Sequence, residues 1–379
     1  MEPQRTELAD EIGDYIRQHG PITFAQFMEW ALYHPEHGYY MRGPSIGPRG
    51  DFTTSPEASP EFGRLLAKHV AEVDSLLDSP PTFDLVEYGP GKGTLAHDLL
   101  QELALRHPGL YTRLRYHLIE ISPALVKVQK SVLLPEHAAR VKWSRTLDKR
   151  DLRGVIIANE VVDAFPVHVL EVVEGVVCEQ YVDLDGNDLA LKPGPLSTPD
   201  LSEFLQDNDI SAEEGDRIEI DLATIGWLTS AAGAFQRCIA VIIDYGDVAP
   251  GRYSLARREG TLLGYHSGKV THEILANPGE QDLTALVDFT ALQDDATKAG
   301  FDVVGMTRQA TFLIGLGLGS TETEDKETNL DAALARRRGT QALVSMEGLG
   351  RFHVLLSSKG LDPIEAEKVL SGLKYADIL

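Results

Sequence analysis

The chain has 379 residues, 43% hydrophobic and 25% charged, the make-up of an ordinary globular protein with one large domain or two smaller ones. Its 35 Lys and Arg against 58 Asp and Glu leave a formal net charge of −23, which repels phosphate backbones and anionic membranes, excludes nucleic acid as a general partner, and favours a basic protein segment or an arginine side chain. Two cysteines, Cys178 and Cys238, exclude a disulfide framework, and no apolar run is long enough for membrane insertion.

The N-terminal stretch MEPQRTELADEIGDYIRQHG has neither the apolar core of an export signal nor the basic bias of a transit peptide, so a cytoplasmic chain is expected. Leu8, Ile12, Tyr15 and Ile16 predict a first helix, and ITFAQFMEWALYH predicts a second. A Gly- and Pro-rich loop follows from Pro35 to Pro60, holding RGDFTTSPEASPEFG. Ser59-Pro60 then reads as the entry to a third helix. From residue 83 the pattern alternates: strand FDLVEYG, helix TLAHDLLQELALRH, strand RYHLIEI, helix SPALVKVQKSVL, strand GVIIANE. That alternation predicts a parallel sheet covered by helices. Residues 164–235 interrupt it with hairpin-like VLEVVEGVVCEQYVDLDGND and a polar stretch. The sheet resumes with CIAVIIDYG, helix FTALQDDATKAG, strand FDVVGMTRQ, a helical insertion around 328–348, and strand FHVLLSSK.

The first sheet strand runs into LVEYGPGKGTL, where Gly89, Gly91 and Gly93 let the turn bend and a ligand approach the backbone. A P-loop is excluded because Gly93, not Ser or Thr, follows Lys92. A dinucleotide turn is disfavoured because Thr94 stands where its third glycine belongs. The form E-x-G-x-G-x-G, counting Glu87, resembles the first motif of class I S-adenosylmethionine methyltransferases. Glu120 ends the next strand, where a carboxylate can accept both hydroxyls of an adenosine ribose, and Ser122-Pro123 caps the helix after it.

The strand GVIIANE delivers Asn159, Glu160 and Asp163 to the carboxyl edge of the sheet, where open α/β sheets bind ligands. Methyl transfer is an in-line displacement that needs a lone pair aimed at the methyl carbon, and carboxylates can orient a guanidinium or amine for it. The bland alternative is a turn capped by Asn159 with Asp163 exposed. IDYG, at 243–246, reaches the same edge. His34 and His37 form an H-x-x-H pair without further ligands at metal spacing, so no metal is expected and the pair is structural or substrate-facing.

GPITFAQFMEWALYHPEHGYY, GDFTTSPEASPEFG, VEYGPGKGTLAHDLL, ANEVVDAFPVHVLEV, IIDYG and PGEQDLTALVDFTAL resemble, in order and spacing, the MidA-like family, over essentially the whole chain. That family contains the mitochondrial complex I assembly factor that acts as a protein arginine methyltransferase. The resemblance implies an α/β fold with a class I, Rossmann-like methyltransferase sheet, an N-terminal helical extension and an insertion before the fourth predicted sheet strand. The expected organisation is an extension at 1–80, core halves at 81–163 and 236–379, and a substrate subdomain at 164–235. Carried over by position, Glu87, Gly89, Pro90, Gly91, Gly93, Glu120 and Ser122 bind S-adenosyl-L-methionine. Phe52, Thr53, Thr54 and Ser55 close over cofactor or acceptor, and Asn159, Glu160 and Asp163 line the transfer site. The implied activity is methylation of a partner protein's arginine, a respiratory-complex subunit being the target of the family's eukaryotic member. An assembly chaperone without turnover and a small-molecule N- or O-methyltransferase are the alternatives.

Overall fold

A computed structural model describes residues 6–43, 47, 53–208, 210–249, 251–253, 257–319 and 330–376. The apolar runs become the strands of one seven-stranded sheet: β1 Phe83–Tyr88, β2 Leu114–Ile119, β3 Val141–Ser144, β4 Leu152–Asn159, β5 Phe235–Asp244, β6 Asp302–Arg308 and β7 His353–Lys359. Its order is β6-β7-β5-β4-β1-β2-β3, and β7 runs antiparallel to both its neighbours while the remaining pairs are parallel. Both faces of β1 are buried along its whole length, which is why it reads as a continuous apolar run and not as an alternation.

Helices α1 Glu7–His19, α2 Phe24–Tyr33, α3 Glu61–Leu76, α4 Thr94–Arg106, α5 Pro123–Val132, α6 Thr224–Ala234, α7 Phe289–Lys298 and α8 Leu330–Val344 surround this sheet or extend it. On β4, Val155 and Ile157 point into one core with Leu66 and Val70 of α3 and Leu99 and Leu103 of α4. Ile156 and Ala158 point the other way, to Leu228 of α6 and Leu292 of α7. This is the two-residue period of a strand with apolar neighbours on both sides.

A second sheet is antiparallel and joins distant parts of the chain. Ile22–Thr23 pairs with Val176–Asp185, which pairs with Val167–Val173, which pairs with Arg217–Asp221. Asp188–Gly194 pairs with Val176–Asp185 as well. Leu8 and Ile12 of α1, with Phe24, Phe27 and Met28 of α2, bury their apolar faces against Val167, Val169 and Val182 of this sheet. A third, small sheet holds Leu263–His266, Lys269–Thr271 and Asp282–Thr284. No helix among the described residues is long and apolar enough to cross a membrane.

The structure departs from the sequence reading in several places. Strand β3 was not expected, because four residues with Lys142 and Ser144 exposed carry too little pattern. Helix α6 lies inside the interruption at 164–235, where its small residues and low amphipathicity hide it. Helix α2 begins at Phe24, since Ile22–Thr23 extend into the second sheet and the Thr23 side chain caps the helix by accepting from Gln26 N. The loop before α3 contains a one-turn helix, Ser55–Ala58, and α3 itself begins at Glu61, whose N–H bonds Ser59 Oγ at 3.3 Å.

Candidate active site

The carboxyl ends of β1, β2, β4 and β5 meet where the strand order reverses, and a cavity of about 2350 Å³ opens over them. That volume is more than twice the roughly 1,000 Å³ upper end for small-ligand sites. Gly89 and Gly91 have φ of 58° and 52°, a left-handed conformation that glycine adopts without penalty, and with Pro90 they line the cavity. Gly93 does not line it. It caps α4 at φ 85°, and a Cβ there would lie 3.2 Å from Gln129 Cα, so this glycine serves helix packing.

Glu120 sits at the mouth of the turn and is buried. Its Oε1 accepts from Ser122 N at 2.7 Å, and its Oε2 accepts from Gln129 Nε2 at 2.9 Å. Gln129 Nε2 also donates to the Gly91 carbonyl at 2.8 Å, while Gln129 Oε1 accepts from Trp143 Nε1 at 3.0 Å. Gln129 therefore ties the Glu120 carboxylate to the glycine turn. No motif singles it out, and only its place on the inner face of α5 marks it. Burial pushes the Glu120 carboxyl upward against these hydrogen bonds. Ser122 stands behind the wall: its hydroxyl donates to the Tyr40 carbonyl at 2.7 Å and accepts from Leu125 N as the cap of α5. Glu87 lines the cavity and accepts from Tyr116 Oη at 2.5 Å. Burial, with the field of Glu120 added, pushes it to about 7 despite that bond.

Across the cleft, Asn159 ends β4 and Glu160 follows at φ 54°, an unfavourable conformation for a side-chain-bearing residue. Asp244 at the end of β5 holds this turn in place. Its Oδ2 accepts from the N–H groups of Val161, Val162 and Asp163 at 3.1, 2.9 and 3.2 Å, and its Oδ1 accepts from Tyr245 N at 2.9 Å. Glu160 Oε1 accepts from Asn159 Nδ2 at 2.9 Å and from Ser55 N at 3.1 Å. Asn159 Oδ1 is buried without a hydrogen-bond partner among the described residues. Burial raises Glu160 to about 8 and Asp163 to about 7, and lifts Asp244 well above the carboxylate range with the fields of Asp163 and Glu160 adding to it. Among the described residues none of the three is ion-paired with a basic side chain.

The one-turn helix Ser55–Ala58 bridges the two turns. Ser55 is fully buried, donating its N–H to Glu160 and its hydroxyl to Gln309 Oε1 at 2.8 Å, so it lies behind the cavity wall that Thr53 and Thr54 form. Glu57 takes Lys92 Nζ at 2.5 Å and the Thr94 hydroxyl, both from the glycine turn. Phe52, expected beside them, lies outside the described residues, as do Arg49, Gly50 and Asp51. His34 and His37 do not line the cavity. Their rings stack 5.5 Å apart, and Glu11 reaches His34 Nε2 at 3.4 Å and His37 Nε2 at 3.3 Å, an arrangement that fastens the end of α2 to α1. No group of three or more His, Cys, Asp or Glu among the described residues is placed to hold a metal ion.

The strand order, the antiparallel β7, the glycine turn after β1 and the acid after β2 define a class I methyltransferase with S-adenosylmethionine as cofactor. Residues 65–307 match the family model described as "Putative S-adenosyl-L-methionine-dependent methyltransferase". The crystal structure of a Burkholderia thailandensis protein bound to S-adenosyl-homocysteine superposes with a TM-score of 0.85 at 32% identity, over 94% of this chain and 92% of that one. The mitochondrial protein arginine methyltransferase NDUFAF7 of Mus musculus is 32% identical over 329 residues, 80% of this chain and 72% of that protein. Its Drosophila melanogaster homologue is 31% identical over 335 residues, 81% of this chain and 74% of that protein. The chain belongs to the MidA-like family of S-adenosylmethionine-dependent methyltransferases. The expectation of a cytoplasmic location does not stand: these animal relatives are named mitochondrial proteins.

Proposed function

We propose that this methyltransferase acts on an arginine side chain of a partner protein. The observation that carries the reading is the cluster of buried Asp163 and Asp244 with half-buried Glu160 at the carboxyl edge of β4 and β5, three carboxylates with no cation among the described residues to balance them. Like charges buried together must either keep protons or receive a cation. A guanidinium carries one positive charge and five donors in a rigid plane, which matches carboxylates and the spare Asn159 Oδ1 better than a small neutral acceptor does. The size of the cavity favours a side chain delivered by a polypeptide over a small free molecule. The Mus musculus and Drosophila melanogaster relatives are named as a protein arginine methyltransferase and its homologue.

In this reading Gly89, Pro90 and Gly91 cradle the cofactor, Glu120 takes its ribose hydroxyls, and Glu87 closes the floor. The bound cofactor supplies an electrophilic methyl on sulfonium. Glu160 and Asp163 orient the guanidinium so that one nitrogen presents its lone pair, and their carboxylates are the local sites for the proton that nitrogen releases. Thr53 and Thr54 exclude water from above. A respiratory-complex subunit as the acceptor follows from the family resemblance. Incubating the pure protein with radiolabelled S-adenosylmethionine and a lysate of cells lacking it is expected to label a protein band that yields methylarginine on acid hydrolysis. Label recovered only in small molecules, or on another residue type, would overturn the reading.

A further inference from the structure

The segment PGEQDLTALVDFTAL has no part in the glycine turn or the acid turn, yet it forms a wall of the same cavity. Its strand Asp282–Thr284 is buried along its whole length: Leu283 lies in the core that α1 and α2 share with the second sheet, while the buried Asp282 and Thr284 line the cavity wall. The next residue fastens this strand to the acid turn, because Ala285 N donates to the Asp163 carbonyl at 3.0 Å. Two tyrosines complete the connection. Tyr40 Oη donates to Asp282 Oδ1 at 2.9 Å, and Tyr33 Oη donates to the Ala164 carbonyl at 2.8 Å. Their rings stack at 5.6 Å and 18°, and both line the cavity. Tyr265 stands opposite Asp282 in the strand register and lines it too. Beyond the effect of burial, the hydroxyls of Tyr33, Tyr40 and Tyr265 are all raised by the fields of both Asp163 and Asp282, which places the two carboxylates around one space.

We propose that Asp282, oriented by Tyr40, is a second acceptor-binding carboxylate, gripping the arginine guanidinium from the strand wall that adjoins the acid turn. The inference rests on the arginine reading above. A guanidinium has donors on several edges, and the nitrogen that accepts the methyl group must be left to face the cofactor. Carboxylates on a single wall occupy one edge and leave the plane free to swing. A second wall fixes the plane, with the Tyr33 and Tyr40 rings beside it, and so selects which nitrogen faces the methyl group. The same geometry selects against lysine, whose compact ammonium carries three donors at the end of a flexible stem and does not bridge two walls.

The test separates charge from structure, since Asp282→Asn keeps a carbonyl oxygen for the Tyr40 hydroxyl while removing the charge. The full chain, saturated with S-adenosyl-homocysteine, is titrated with N-acetyl-arginine methylamide and with its uncharged citrulline analogue, followed by calorimetry or ligand-observed NMR. The wild type is expected to prefer the arginine compound. Asp282→Asn is expected to cut that preference by about tenfold, the worth of one charge-assisted contact, with S-adenosyl-homocysteine affinity unchanged. Tyr40→Phe, which keeps the charge and loosens its position, is expected to cut it less. A wild type that prefers arginine, with the preference intact in Asp282→Asn, overturns the role of Asp282 and leaves the arginine reading standing. A wild type without preference overturns both. Equal loss of S-adenosyl-homocysteine affinity in Asp282→Asn places the residue on the cofactor side and overturns the inference. If Asp282→Asn does not fold, an unchanged preference in Tyr40→Phe overturns it.

Discussion

Asp244→Ala probes how the acid turn is built. Asp244 is fully buried, and its two oxygens serve four backbone N–H groups: those of Val161, Val162 and Asp163 on one oxygen, and that of Tyr245 on the other. Removing the carboxylate leaves these donors without their acceptor, at about 1–3 kcal/mol for each group that stays dry. Three factors reduce the sum. Three of the bonds share one oxygen and are individually weak, the neighbouring cavity admits water, and the repulsion of Asp163 and Glu160 is relieved. A net loss of about 2–5 kcal/mol is expected for the ligand-free protein, a large share of the roughly 5–15 kcal/mol typical of whole domains. Asp244→Asn keeps one acceptor oxygen and is expected to lose about 1–2 kcal/mol. Because Glu160 holds a left-handed backbone that its neighbours must impose, methyl transfer should fall further in both variants than cofactor affinity does. Urea unfolding at fixed pH, cofactor titration and transfer rate measure the three quantities. A stability change in Asp244→Ala of less than about 0.5 kcal/mol, with transfer intact, would refute the idea that this carboxylate organises the turn.

The buried acids also predict a pH dependence. Glu160 at about 8, with Glu87 and Asp163 at about 7, hold protons in the folded protein that an unfolded chain releases in the ordinary carboxylate range. Their stabilising effect is therefore complete below that range and lost as pH rises through 7 to 8, so the urea midpoint of the ligand-free protein should fall from about pH 5 to pH 8, and fall less in Glu160→Gln; a flat midpoint contradicts the burial of these groups. Gly91→Val forces a β-branched side chain into a left-handed turn on the cavity wall, and Glu120→Ala strips Ser122 N and Gln129 Nε2 of their acceptor. Each should weaken S-adenosylmethionine binding about tenfold or more, given about 1–2 kcal/mol for either defect, and unchanged titrations in both would remove these residues from the cofactor site. Glu57→Gln weakens the tie from the one-turn helix to Lys92. About 0.5–1 kcal/mol is at stake in a partly exposed pair, so S-adenosyl-homocysteine should dissociate severalfold faster in a stopped-flow chase, and an unaltered rate would show that this helix does not retain the ligand.

The sheet was legible wherever burial on both faces leaves an unbroken apolar run, as in FDLVEYG and CIAVIIDYG, and the turns after those runs were legible because glycine spacing and chain order carry the chemistry. Elements without such a signal went unseen. Strand β3 is short and sits at an edge, and α6 is built from small residues with little polar contrast. Within the site, position along the chain did not reveal which side chains face inward. Ser55, Gly93 and Ser122 stand in the right motifs yet do not line the cavity, because each satisfies a cap, a helix contact or a buried hydrogen bond. Asp244 was read only as reaching the edge, and its role as the acceptor for a whole turn depends on β5 lying beside β4. Gln129 and Asp282 act across segments far apart in sequence, and no local pattern announces that kind of contact.

The cavity is assembled from two sources. The part at the glycine turn belongs to the parallel sheet, while much of the remaining wall is built by α2, the second sheet and the strand Asp282–Thr284, joined through a shared apolar core. The pairing of Ile22–Thr23 with Tyr181 and Val182 makes that second body a product of both the N-terminal segment and the insertion. Sequence change in either one alters that wall of the cavity without touching the glycine turn or the acid after β2, so the two ends of the cavity can vary independently.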